Sequence, residues 1–285
     1  MLASMTFFVL GDTVLKLAAA TYPPGQIMAV RGVFAVLITL GFIIASKQLG
    51  ELHRVGSRLV VIRAVLEAAV SFLFITSLAV LPLADITAIV QSTPIILTFI
   101  AVVLGLEQVG WGRWSAIICG FVGVLLIVKP SPAGLDIYAL LAFATAALIA
   151  GRDLVTRSIS ARVPSLVITL STTFAVTIVG FVVAIGEDWQ PIGPHEAGLL
   201  FAAAVLVTPG NLTVVMAFRD TDVSVVSPFR YSNVPLAILL GFFVFRELPD
   251  MMSFAGIALI IASGVYAIHR EQARRREVSP HGVAG

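Results

Sequence analysis

Asp12, Arg31, Arg63, Glu67 and Arg230 stand inside long apolar stretches of this 285-residue chain. An ionisable side chain at the centre of a lipid-embedded helix costs about 2.5–3.5 kcal/mol on insertion scales, so each one asks for a reason. Arg63 and Glu67 are four residues apart, on one helical face, and can pair with each other as a structural or a functional unit. Arg31 lies about one turn into its stretch, where it can reach outward to headgroups or line a cavity. Arg230 is deeper, about seven residues or roughly 10 Å into its stretch. Tyr231 and Asn233 lie beside it, and Pro228 just before it removes a helical hydrogen bond, a change tolerated where backbone lines a cavity. Gln91 sits at the matching depth of another stretch, and Asn211 follows Pro209-Gly210 as a further hydrogen-bonding candidate. Asp12, at mid-stretch, is able to accept a coupling proton or to neutralise an arginine on a neighbouring helix. Asp153, flanked by Arg152 nearer a helix end, reads as a solvated carboxylate.

Catalytic constellations do not emerge from the pattern. His53, His195, His269 and His281 are scattered over ends and loops, and no Ser-His-Asp arrangement, phosphate loop, metal site or cofactor motif is apparent. Cys119 is the only cysteine and falls in an apolar run, which reads as an inert buried thiol. Asn211-Leu212-Thr213 matches a glycosylation sequon, but its depth makes that a chance match.

The elements that must hold these residues follow from composition. Hydrophobic residues make up 59% and charged residues 12%, with a mean hydropathy of +1.03. A soluble domain carries roughly 25% charged residues, so this chain has about half the usual supply for covering a surface. An ordinary cytosolic enzyme, a nucleic-acid binder and a disordered scaffold are excluded. Basic and acidic residues nearly balance at 18 and 16, so no polyanionic partner is implied. At about 20 apolar residues per crossing, ten stretches qualify: 2–20, 27–46, 59–80, 84–104, 112–129, 136–157, 165–186, 196–218, 223–245 and 252–269. Turn chemistry separates them, including Pro23-Pro24-Gly25, Leu81-Pro82, Pro130 to Gly134 and Leu248-Pro249-Asp250. No ten-residue alternation suggests a barrel, which leaves helices. The first stretch lacks a basic leader and carries Asp12 and Lys16, so it reads as an uncleaved helix. Trp111, Trp114 and Trp189 fall at stretch ends, as interface anchors do.

Charge placement orients the chain. With the N-terminus inside, the inner ends hold Lys47, Arg54, Arg58, Arg113, Arg152, Arg157, Arg162, Arg219, Arg270, Arg274, Arg275 and Arg276, against Lys16, Lys129 and Arg246 outside. Twelve to three predicts both termini in the cytoplasm and a bacterial-type inner membrane. The chain also repeats at an offset of about 140 residues. Asp12 to Lys16 corresponds to Asp153 to Arg157, Pro24 to Pro164, Gly105 to Glu107 to Phe245 to Glu247, and Gly123-Val124 to Gly264-Val265. The division is 1–130, 131–270 and a basic tail, 271–285. Five spans per half is an odd number, so the halves are inverted about an axis in the membrane plane. Inverted repeats are the architecture of secondary transporters, with the site between the halves.

These stretches resemble the drug/metabolite transporter superfamily, in its ten-span EamA-type branch. The resemblance rests on Leu81 to Asp85, the Glu107 helix end with Trp111 to Trp114, Ser227 to Ser232, Phe245 to Asp250, and Ala262 to Tyr266. It covers nearly the whole chain. It implies an all-α integral membrane protein and a central cavity lined chiefly by the first, third, fourth, sixth, eighth and ninth helices. Members of that family export amino acids and other metabolites or import vitamins such as riboflavin, or S-adenosylmethionine.

The resulting expectation is a secondary transporter of a small polar metabolite working by alternating access, with membrane lipid around it and a coupling proton or sodium ion as a possible partner. Arg230, helped by Arg31, would receive a carboxylate or another electron-rich group. Tyr231 would stack on the solute, and Asn211, Asn233 and Gln91 would hydrogen-bond it. Asp12, Arg63 and Glu67 would serve coupling or charge pairing. A membrane enzyme or lipid-modifying protein would need a catalytic pair that the sequence does not offer. A passive facilitator would differ only in having no titrating acid.

Overall fold

A computed structural model describes residues 2–103, 111–129, 136–220 and 227–278. Glu107, the 130–135 turn and the end of the basic tail lie outside the described residues. Among the described residues every regular element is helical: α1 Leu2–Ala19, α2 Pro24–Ala45, a surface 3₁₀ segment Leu49–Gly56, α3 Arg58–Leu78, α4 Leu83–Val90, α5 Thr93–Val103, α6 Trp111–Val128, α7 Ile137–Ser158, α8 Ser165–Ala184, α9 Pro194–Asp220, α10 Asn233–Leu240 and α11 Met251–Val278. Six helices are long and apolar enough to cross a membrane, and Leu83–Leu97, Trp114–Val128, Arg230–Phe245 and Met251–Ala267 form four shorter apolar helices.

Local chemistry sets the helix boundaries. Pro24 occupies the first position of α2, where a missing N–H costs nothing. The next two amides, Gly25 N and Gln26 N, donate to Glu187 Oε1 and Oε2 at 2.9 and 3.0 Å, so a carboxylate from the α8–α9 loop covers the positive end of α2. Asp250 caps α11, its Oδ1 accepting from Ser253 N at 2.9 Å. Two stretches that read as continuous are broken. α4 stops at Gln91-Ser92 before α5 begins, and the ninth stretch runs as a 3₁₀ turn Ser227–Ser232, then α10, then a π turn Gly241–Phe245 that ends on Arg246 at φ 59°. Such interruptions release backbone groups in the interior, and they flank the residues of interest.

The helix pairings fall into matched sets. α1 packs on α9 as α7 packs on α3, and α2 on α9 as α8 on α3. α1 meets α10 as α7 meets α4 and α5, while α2–α8, α6–α11 and α4–α10 pair with their own counterparts. Glycine allows the tightest of these approaches. A Cβ built on Gly123 would lie 2.8 Å from Gly256 O, and one on Gly256 would lie 2.5 Å from Gly123 O, so α6 and α11 touch backbone to backbone. Gly180 does the same for α2–α8, facing Met28 and Ala29.

The outside of the bundle is apolar: Leu37, Phe42, Phe174, Val182, Phe201, Leu239 and Phe243 are all exposed. A surface of this kind needs lipid rather than water. Cys119 corrects its expectation, being exposed beside Ile118, Phe121 and Val122. An apolar run marks a helix as buried from water without saying which side faces lipid and which faces protein. Trp114 and Trp189 are also turned outward near helix ends.

Candidate functional site

A cavity of about 150 Å³ lies among the helices of the bundle. α1 contributes Asp12, α2 Arg31, α3 Glu67, the α4 end Gln91, α7 Arg152, α9 Thr208 and Asn211, and the ninth stretch Arg230 and Asn233. Thr172 and Thr173 of α8 line it too, so the second and seventh spans join the six that the family resemblance implied. The broken helices bring polar groups into this space. Ending α4 at Gln91 and starting α10 at Asn233 points side chains and backbone ends into one space.

Four of the charged groups form a continuous chain. Glu67 Oε2 accepts from Arg152 Nη1 at 2.7 Å, Arg152 Nη2 donates to Asp153 Oδ1 at 2.7 Å, and Asp153 Oδ2 accepts from Arg230 Nη1 at 2.8 Å. Arg152 Nε adds a bond of 3.1 Å to Asp153 Oδ1. The signs alternate along α3, α7 and the ninth stretch, so every charge faces its opposite. Burying charges is costly unless they are paired, and each member of this chain has an opposite charge bonded to it. Arg230 therefore does two things at once: it lines the cavity and closes an ion pair. The carbonyl of Arg230 in turn accepts from Gln91 Nε2, which joins the α4 break to the ninth stretch.

Three expectations change here. Arg63 does not ion-pair with Glu67: its Nε donates to Thr156 Oγ1 at 3.0 Å, its Nη1 donates to Thr172, and it lies behind the cavity wall. Glu67 instead reaches Arg152, a partner on another helix that sequence spacing has no way to nominate. Asp153 is not solvated but only 4% exposed, held between two arginines. Tyr231 does not line the cavity, and its ring packs onto Gly264 of α11, where any Cβ would collide with it. A 3₁₀ turn steps about 120° per residue, so neighbours Arg230 and Tyr231 leave on different sides.

Asp12 and Arg31 differ from the chain of four. They are near enough for their charges to interact through space. Neither makes an ion pair or hydrogen bond among the described residues. Thr208 Oγ1 and Asn233 Oδ1 also have no hydrogen-bond partner among the described residues.

A second polar tie, missed by sequence reading, sits one residue beyond the cavity-lining Leu15. Lys16 Nζ lies 2.5 Å from Glu247 Oε2, donates to Leu81 O at 2.9 Å and sits over the Phe245 ring at 4.9 Å. It fastens the end of α1 to the α3–α4 turn and to the segment before α11. Nearby, Lys129 and Asp250 pair at 2.6 Å on the exposed rim.

A bundle of apolar, membrane-spanning helices around a cavity that holds charged and amide side chains fits a multi-pass membrane transporter class. The EamA-like transporter family model matches residues 1–129 and 136–268, and the chain belongs to that family. It is 29% identical over 269 residues to the pseudopaline exporter CntI of Pseudomonas aeruginosa, an alignment covering 92% of each chain. It is 27% identical over 201 residues to an S-adenosylmethionine uptake transporter of Rickettsia bellii, covering 68% of this chain and 67% of that one. A riboflavin transporter of Rhizobium johnstonii is 27% identical over 215 residues, 75% of this chain and 71% of that one. A solved crystal structure superposes with a TM-score of 0.67 over 96% of this chain and 97% of that one at 19% identity, a likeness of fold. The chain is a metabolite transporter by family.

Proposed function

We propose that the protein is a secondary transporter that carries a small polar metabolite across the inner membrane by alternating access. In this reading ten spans form two inverted repeats, 1–130 and 131–270, with both termini and the 271–285 tail in the cytoplasm. The observation that carries it is an internal cavity, largely apolar but holding Asp12, Arg31, Glu67, Arg152 and Arg230, enclosed by helices whose pairings match between the proposed halves. Two near-equivalent halves around one site give two near-equivalent closures, which is what alternating access requires. Arg230, Gln91, Asn211, Asn233 and Arg31 form the wall that the solute meets, and Asp12 is the carboxylate available to a coupling proton or sodium ion or to pairing with a positive charge. The size of the cavity favours a compact solute: a space on the order of 150 Å³ admits a benzene-sized molecule. Amino-acid-like compounds and small organic acids suit it better than a flavin, although the relatives named above handle solutes of several sizes.

Counterflow in proteoliposomes tests the reading. Vesicles loaded with an unlabelled solute should accumulate the same labelled solute saturably, from a panel of amino acids, organic acids, flavins and nucleosides. Protein-free vesicles should not. Counterflow of no compound in the panel by a well-folded preparation overturns the proposal.

A further inference from the structure

We infer that Asp12 and Arg31 are the two poles of a receptor for an amino carboxylate, Asp12 facing the ammonium of the solute and Arg31 its carboxylate. The inference rests on the transporter reading above and names the substrate class of that cavity.

The other arginines of the cavity wall are already ion-paired. Arg152 is held by Glu67 and Asp153, Arg230 by Asp153, and the amide of Gln91 by the carbonyl of Arg230. A solute carboxylate that replaced Glu67 or Asp153 at these arginines would have to break a buried ion pair first. Arg31 has no such partner. It is 7% exposed and lines the cavity, with no acceptor bonded to its guanidinium among the described residues. A guanidinium carries five N–H donors that cannot be removed by deprotonation, and burial without an acceptor is costly. The missing acceptor must come from the cavity. An anionic group there restores what the fold leaves out, and a carboxylate matches the two-pronged geometry of the guanidinium.

Asp12 then decides among anions. A simple carboxylate would sit in the field of Asp12 and Glu67, both of which line the same space. A simple cation would meet Arg31, Arg152 and Arg230. A solute with both signs satisfies Arg31 and Asp12 together and adds no net charge to a low-dielectric site, where isolated charges are most strongly penalised. Thr208 Oγ1 and Asn233 Oδ1, which have no hydrogen-bond partner among the described residues, supply further polar contacts to the body of such a solute.

The test is ligand binding to the full-length protein in detergent, read by thermal shift and equilibrium titration. The probes are the proteinogenic L-amino acids, each hit being compared with its N-acetyl and methyl-ester derivatives, and with succinate and riboflavin as controls. At least one amino acid is expected to bind and to lose tenfold or more in affinity on either N-acetylation or esterification. Asp12→Asn should erase the penalty for N-acetylation while keeping that for esterification, and Arg31→Gln should do the reverse. If these neutral variants do not fold, Asp12→Glu and Arg31→Lys carry the test: altered affinity for the parent amino acid supports the assignment, and unchanged affinity overturns it. Hits whose derivatives bind equally well, penalties untouched in Asp12→Asn and Arg31→Gln, or binding of succinate or riboflavin alone each overturn the inference while leaving the transporter reading in place. Absence of both binding and counterflow for every probe removes the transporter reading, and this inference with it.

Discussion

Asp12 in α1 and Asp153 in α7 correspond in the repeat of about 140 residues read from the sequence, yet their surroundings differ. Asp153 is gripped by Arg152 and Arg230 and is nearly sealed from solvent. Asp12 lies at the cavity wall with Arg31 in view and no bonded partner among the described residues. Asp153 is a structural clasp, and Asp12 is an available charge. The difference teaches where to look for chemistry in a repeated membrane protein. Where charged groups satisfy one another, as Asp153 does with two arginines, they hold the architecture, and where they do not, as at Asp12, they face the cavity.

The largest expected effect separates those roles directly. Asp153→Ala leaves Arg152 and Arg230 facing each other across a buried space without their shared anion. Removing one member of a buried ionic network costs about 3–5 kcal/mol, so the thermal transition in detergent should fall sharply and little folded protein should be recovered. Asp12→Asn removes the corresponding carboxylate from the first half, breaks no bond among the described residues, and should change stability by about 1 kcal/mol or less. Comparable losses of stability in the two variants would show that the halves are alike after all.

A smaller effect is expected at the periphery, where the pairing of α6 with α11 depends on shape alone. Gly123 and Gly256 place each backbone against the other, and any side chain must push the helices apart. Gly256→Leu should lower the thermal transition by an amount corresponding to about 1–3 kcal/mol. It should leave solute discrimination unchanged, because no group at the cavity moves. A variant that folds normally yet loses discrimination would place the communication between the halves in this contact, and would weaken the division of labour drawn from Asp12 and Asp153.

The sequence made the frame legible and the partners illegible. Long apolar runs, Pro24, Pro164 and the separating turns mark α1, α2, α3, α7, α8 and α9 closely, because lipid demands a certain length and proline a certain place. The break at Gln91-Ser92 and the 3₁₀ turn around Arg230 were not apparent: proline content hints at irregularity but not at its geometry. That geometry is what sent Tyr231 to Gly264 instead of into the cavity. Arg31, Asp12, Gln91, Asn211, Asn233 and Arg230 could be picked out because charge and amide groups are rare in such stretches. Their pairings could not, since Glu67 and Arg152 are 85 residues apart and meet only through α3–α7 packing. Spacing on one helix suggested Arg63 for Glu67, and tertiary contact overruled it.

The exposed rim gives the smallest effect and the baseline for the others. Lys129 and Asp250 tie the end of α6 to the start of α11. The bond from Lys129, together with the amide of Ser253, holds the Asp250 carboxyl down at about 2, from an ordinary value of 3.8. A carboxylate whose folded value is depressed contributes its stability fully above the ordinary value, and loses it as pH falls from about 4 toward 2. The difference in thermal transition between the unmodified protein and Asp250→Asn should therefore be constant from pH 7 to 5 and shrink below pH 4. Other titrating carboxylates act on both proteins and largely cancel in that difference. The difference itself should be slight, because both partners are exposed and solvent screens them. A rim pair that proved as important as Asp153 would mean that burial does not set the strength of these ties, and the contrast between Asp12 and Asp153 would need a different cause.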